Sequence, residues 1–235
     1  MTAPKDGACT LGVLAFGDSI TNGGGELQWG VALQSWALWV ARGLGLPFTG
    51  FATDGAQVSD VVERQMPAVR GDARYDLGCL YIGVNDVRSV DWDAGAFDAG
   101  FRPALAFLGE RCDRVLTLTA PLDLGRPRAG AKVGELNAIV TSAASDMGAL
   151  VLDLCSFGAR NLVMADHVHP TAFGQIAMAE RALDVLAADG LQPVVRPSSL
   201  IQWETTRWKR LRGDATYAYR HTKVSVRSAW LKLLA

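Results

Sequence analysis

The sequence predicts an α/β protein with a five-stranded parallel sheet covered by helices on both faces. Two observations carry this. Short apolar runs alternate with longer amphipathic ones along residues 11–188. The short runs are nearly continuous in apolar character rather than alternating, as strands buried on both faces are. Crossovers between such strands are right-handed.

Residues 11–16, Leu-Gly-Val-Leu-Ala-Phe, read as the first strand, and residues 30–44 as a helix rich in Ala, Leu and Trp. Residues 47–52 form a weaker strand, and 58–66 a short helix stopped by Pro67. The third strand covers 77–82. A helix follows over 94–108, its propensity lowered by Gly95, Gly100 and Pro103. Residues 114–119 make the fourth strand, ended by Pro121. A helix over 132–147, a strand over 150–154 and a long Ala-rich helix over 172–188 complete the pattern.

Pro193 and Pro197 mark a break at 192–199, which divides a body, 1–195, from an extension, 196–235. The body carries 14 Lys+Arg against 22 Asp+Glu, a net −8; the extension carries nine against two, a net +7. The neutral-looking total therefore hides an acidic body with a basic tail. Cys9, Cys79, Cys112 and Cys155 are far apart and lack metal-ligand spacing, so they read as small buried thiols of a reducing compartment. The polar N-terminal segment has no signal-peptide pattern, and the expected location is cytoplasmic.

In an open α/β sheet, ligands bind outside the carboxyl ends of the strands. The first strand delivers Gly17-Asp18-Ser19-Ile20 there, the second Asp54-Gly55-Ala56, and the third Gly83-Val84-Asn85-Asp86. The loop after the fifth delivers Asp166-His167-Val168-His169-Pro170. This edge holds the groups that acyl transfer needs. A hydroxyl such as Ser19 is a weak nucleophile and needs a base to take its proton. His169 serves near neutral pH, and Asp166, three residues away, can hold its tautomer and stabilise the imidazolium. Donors for the oxyanion are the Ser19 N–H, a backbone N–H at Gly55 and the Asn85 amide.

These four blocks resemble those of the GDSL (SGNH) hydrolase family. Gly17-Asp18-Ser19-Ile20 matches the first, Gly55 the second, Gly83-Val84-Asn85-Asp86 the third, and Asp166-His167-Val168-His169-Pro170 the last. The likeness runs through roughly residues 11–190 and leaves the extension outside. It implies a flavodoxin-like three-layer sandwich (the SGNH hydrolase fold). It also implies a Ser19–His169–Asp166 triad, an oxyanion hole from Ser19, Gly55 and Asn85, and esterase, lipase or thioesterase activity without a metal or cofactor. Three departures stand out. Ile20 replaces the usual Leu, His167 occupies a place where Gly is common, and the Asn often found upstream of the second-block Gly is missing.

Around this core, Asp18 and Asp86 read as supporting residues. Trp36 and Trp39 read as core packing. Trp29, between the Asn22–Gly25 turn and the helix, is the candidate for the substrate pocket, and His167 faces solvent or substrate. A His-x-His metal site is set aside because the remaining histidine, His221, lies in the tail. No nucleotide loop and no GxSxG occur in the chain. The expected substrate is a small acyl ester or a lipid. Acyl transfer to an alcohol is the rival within enzymes, and a non-catalytic flavodoxin-like binding module the rival outside them.

The extension reads as helical from Ser198. Ile201, Trp208, Leu211, Ala215 and Ala218 recur near helical spacing, Gly213 marks a break, and an apolar close runs over 230–234. Three fates for that stripe are weighed: packing on the acidic body, a homodimer contact, and adsorption to an anionic membrane surface. The expectation is packing or dimerisation, with peripheral membrane contact ranked below them. Nucleic acid is excluded, because the acidic body repels phosphate.

Overall fold

Val13, Leu14, Ala15 and Phe16 are all fully buried. Successive side chains of a strand point to opposite faces, so burial of all four requires cover on both sides. In the computed structural model, which describes residues 10–203 and 205–234, they form β1 (Val13–Gly17), an interior strand of a five-stranded sheet. The other strands are β2 (Phe48–Gly50), β3 (Tyr75–Tyr81), β4 (Cys112–Leu118) and β5 (Leu150–Leu152), in the order β2-β1-β3-β4-β5, all parallel. Cys9 lies outside the described residues, as does most of the polar N-terminal segment. Of residues 231–234 only the helical backbone is described.

The helices are α1 (Trp36–Leu44), the short α2 (Val58–Asp60) and α3 (Met66–Ala68) joined by a π-helical turn over Val61–Gln65, and α4 (Val84–Arg88). They continue with α5 (Ala94–Arg111), α6 (Lys132–Met147), α7 (Ala172–Ala188) and α8 (Arg207–Leu234). Packing pairs α1 with α7 and α5 with α6 against the sheet. α5 keeps Pro103 inside it, and Phe97, Phe101, Leu105 and Leu108 bury its apolar face.

The first helix starts later than its composition suggests. Residues 31–35 are irregular, and α1 begins after Ser35, whose Oγ accepts the Leu38 N–H at 3.0 Å as an N-cap. At the other end of the chain, Gly213 does not interrupt α8. A mid-helix glycine costs about 1 kcal/mol, which a long helix absorbs.

Strand order reverses at β1, with β2 on one side and β3 on the other, so connections leave in opposite directions and open a crevice at the carboxyl edge. There Gly17 pairs with Tyr81. The buried Gln65 of the π-helical turn brackets Gly17, accepting its N–H at 2.9 Å and donating to its carbonyl at 2.8 Å. Gln65→Leu orphans the buried Gly17 N–H and is expected to cost about 1–3 kcal/mol in urea unfolding. A loss below about 0.5 kcal/mol, the size of a neutral surface change, contradicts this account of the strand end.

Candidate active site

Ser19 follows β1 directly, and the turn that carries it is fixed from several sides. The Asn22 N–H donates to Asp18 O at 2.9 Å, closing a helix-like turn around Ser19. Gln175 of α7, fully buried, accepts the Trp36 N–H at 2.7 Å and donates to Ile20 O at 2.9 Å and Gly24 O at 3.1 Å. Gly25 adopts φ +145°, and a Cβ there would stand 2.0 Å from the Pro170 carbonyl oxygen. The glycine run thus brings the serine turn flush against the 163–170 loop.

That loop closes on itself through a bridge between Val163 and Pro170, and through Met164 N–H donating to His169 O at 2.9 Å. Inside it, Asp166 Oδ1 accepts the N–H groups of Val168 at 2.9 Å and His169 at 3.1 Å. Its Oδ2 stands 2.7 Å from His169 Nδ1. His169 Nε2 in turn lies 3.0 Å from Ser19 Oγ. A carboxylate only accepts, so Nδ1 carries the proton and Nε2 offers its lone pair to the serine hydroxyl. Pairing with Asp166 outweighs burial and holds the His169 pKa above its ordinary 6.5. Burial pushes the Asp166 carboxyl up, but its hydrogen bonds from His169 and Val168 prevail and hold it below the usual range.

The neighbouring strand ends converge on the same edge. Ala56 N–H donates to Thr53 O at 3.2 Å, a turn whose third residue, Gly55, sits at φ +77°. No heavy atom would meet a Cβ there, so it is backbone conformation rather than space that calls for glycine. Asn85, on α4, donates from Nδ2 to Ala56 O at 2.9 Å. Asp86 Oδ1 accepts the Val58 N–H at 3.0 Å at the start of α2. The two residues after Val84 therefore draw the Gly55 loop against the end of β3.

Asp18 is fully buried. Its Oδ1 accepts the Ile20 N–H at 2.9 Å, and its Oδ2 has no partner among the described residues. Burial, partly offset by that hydrogen bond and by His169, pushes its pKa up to about 7.

His167 does not face open solvent. Its Nδ1 stands 2.8 Å from Asp123 Oδ2 and its Nε2 2.9 Å from Arg126. A guanidinium only donates, so Nε2 accepts, Nδ1 donates, and the ring is neutral. Burial first, and then the Arg126 charge, lower its pKa. Its backbone is left-handed, φ +55°, which supplies a physical reason for glycine at this place. The tail does reach it: the His221 ring centroid lies 5.8 Å away. Both His167 nitrogens are nevertheless engaged.

Trp29 stacks on Trp203 at 5.3 Å and tilts against Phe173 at 5.4 Å. Of these rings, Trp29 lines a cleft of about 800 Å³ between residues 26–29, residues 160–165 and α8. Trp36 and Trp39 are buried in the core. Gln65 and Gln175 escaped the sequence reading; a glutamine in line with Ala172, Ile176 and Ala179 on one face of an Ala-rich helix was the available signal.

An open parallel α/β sheet thus gathers Ser19, His169 and Asp166 into one hydrogen-bonded chain at its carboxyl edge. The chain belongs to the GDSL-like lipase/acylhydrolase family, whose model matches residues 15–176. Solved structures share the fold. An acetylxylan esterase from Geobacillus stearothermophilus is 21% identical, with a TM-score of 0.59, covering 76% of this chain and 96% of its own. LAE5, an α/β hydrolase from the Lake Arreo metagenome, is 18% identical, with a TM-score of 0.62, covering 77% and 96%. No curated protein matches the sequence.

Asp18 generates a stability prediction. Its folded pKa lies above the ordinary 3.8, so the neutral acid contributes stability that is complete below that value and lost as pH rises through about 7. Asp18→Asn keeps the acceptor for Ile20 without the charge. Its Tm relative to the parent should rise between about pH 5 and pH 8. A difference independent of pH contradicts a buried, neutralised carboxyl.

Proposed function

We propose that Ser19 is the nucleophile, His169 the general base and Asp166 the orienting acid of an acylhydrolase working through an acyl-enzyme. The observation that carries this reading is the continuous chain from Ser19 Oγ through both imidazole nitrogens to Asp166 Oδ2, at 3.0 and 2.7 Å. The family match over residues 15–176 supports assigning the chemistry to the body, 1–195, with 196–235 as an appended extension.

Ser19 Oγ attacks the ester carbonyl carbon while its proton passes to His169 Nε2. The carbonyl π pair moves onto oxygen, and the oxyanion is met by the Ser19 and Gly55 N–H groups and by Asn85. Asn85 Nδ2 carries two hydrogens, and the bond to Ala56 O uses one while fixing the amide plane. Collapse breaks the bond to the alcohol oxygen, which takes the proton from His169. Water then repeats the sequence: His169 removes its proton, hydroxide adds to the acyl carbon, and Ser19 leaves with that proton. The sum is ester plus water to acid plus alcohol. Asp166 stays ionised throughout, because its hydrogen bonds and the imidazolium both favour the charged form.

The reading is tested with p-nitrophenyl esters of graded acyl length over a range of pH. Neutral His169 is the active form, so kcat/KM falls on the acid side, with a midpoint above 6.5 because Asp166 raises the imidazole pKa. Asp166→Asn should move that midpoint down and lower kcat by about 10⁴-fold. A profile flat from about pH 5 to 8, or an Asp166→Asn midpoint that stays put, contradicts the assignment.

A further inference from the structure

α8 meets the body along one side. Asp214 pairs with Arg160, Arg220 with Glu26 at 2.6 Å, and the Tyr217 ring lies under the Arg160 guanidinium at 5.4 Å. The opposite side is bare. Trp208, Leu211, Ala215, Tyr219, Val226 and Trp230 recur at spacings of three, four or seven residues, which places them in one stripe along the helix. Trp208 is 81% exposed, Tyr219 68% and Trp230 64%. The stripe is therefore not packed on the acidic body as the sequence suggested; of the residues read into it, Ile201 alone packs against the core.

We infer that this outer face of α8 is a docking surface for an anionic lipid bilayer. Charge selects the occupant. Residues 207–234 hold eight Lys and Arg against one Asp, and Arg212, Lys223 and Arg227 are exposed beside the stripe. A second copy would pair the stripe with itself and set these cations against their own equivalents, a like-charge contact with one acid per helix to relieve it. Anionic headgroups complement them instead, each Lys or Arg at the surface adding to the attraction. Trp and Tyr suit the boundary between headgroup and acyl chain, one end apolar and the other hydrogen-bonding. The geometry also separates charges of one sign. The net −8 of residues 1–195 sits behind the helix, on the side turned from the stripe, so docking keeps the acidic body away from the lipid phosphates. Among the described residues no helix is long and apolar enough to cross a membrane, so α8 lies along the surface. The inference is independent of the chemistry assigned to Ser19.

The test is flotation of the full chain with vesicles of phosphatidylcholine alone and of phosphatidylcholine with equimolar phosphatidylglycerol. The protein should float with the anionic vesicles, stay behind with the neutral ones, and release at about 1 M salt. Trp208→Ser with Trp230→Ser should weaken partitioning by about tenfold or more. Arg212→Glu, Lys223→Glu and Arg227→Glu together should weaken it by on the order of a hundredfold. All five residues are exposed, and none of their side chains is paired with the body, so circular dichroism and thermal unfolding should not change. Should a variant misfold, the lipid and salt dependence of the parent decides alone. Flotation with neutral vesicles to the same extent, no flotation, or indifference to the charge reversals overturns the inference. So does a dimer in light scattering that the tryptophan substitutions dissociate, because the stripe would then belong to a second copy.

Discussion

Gln175 ties together two parts of the chain 155 residues apart in sequence. Its amide donates to the turn after Ser19 and accepts from the first N–H of α1, while its own helix begins just after the Asp166–His169 loop. Ser19 and His169 approach within hydrogen-bonding distance because this buried side chain, together with the tight seat of Gly25 on Pro170, holds the two loops in one register. Burying an amide is costly unless its polar atoms are partnered, and here both are. Loss of this side chain would orphan buried groups on two elements at once. Gln65 plays the equivalent part on the other side of β1, bracketing Gly17.

On that frame, like residues are driven to unlike states. Asp166, accepting hydrogen bonds from Val168 and His169, is held ionised; Asp18, buried with one oxygen unpartnered, is pushed to about 7. His169 and His167 stand two apart in one loop, and their pKa values move in opposite directions. A carboxylate pairs with the first, while burial and a guanidinium act on the second. One loop thus carries an imidazole paired with a carboxylate and a second, neutral imidazole that links the loop to Asp123 and Arg126. Such divergence between neighbouring titratable groups is what acid–base chemistry near neutrality requires.

The five-stranded order of elements was legible because strands buried on both faces read as apolar runs. The helices over Lys132–Met147 and Ala172–Ala188 match the expected bounds because their patterns are long and end on clear signals. Strand ends shifted by a few residues, where a ladder hydrogen bond rather than hydropathy decides. α4 was missed because five residues are too few to show a period, yet it carries Asn85 and Asp86. Ser19, Gly55, Asn85, Asp166 and His169 were legible as candidates because each lies in a short local block. Gln65, Gln175 and the His167–Asp123–Arg126 cluster were not, since contacts across the fold leave no local pattern. The tail misled in another way: an apolar stripe suggested burial, but amphipathicity does not tell which side meets the body. Trp29 packs with Phe173 of α7 and with Trp203 on the link before α8, partners far off in sequence that leave no local pattern.

Ser19 is proposed as a nucleophile activated by the His169–Asp166 pair behind it. The most direct test is covalent: incubation with a fluorophosphonate probe, followed by proteolysis and mass spectrometry to place the adduct. One adduct is expected, on Ser19, with labelling slowed by orders of magnitude in a folded His169→Ala variant. An adduct on another residue, or equal labelling of the His169→Ala variant, would contradict the proposal.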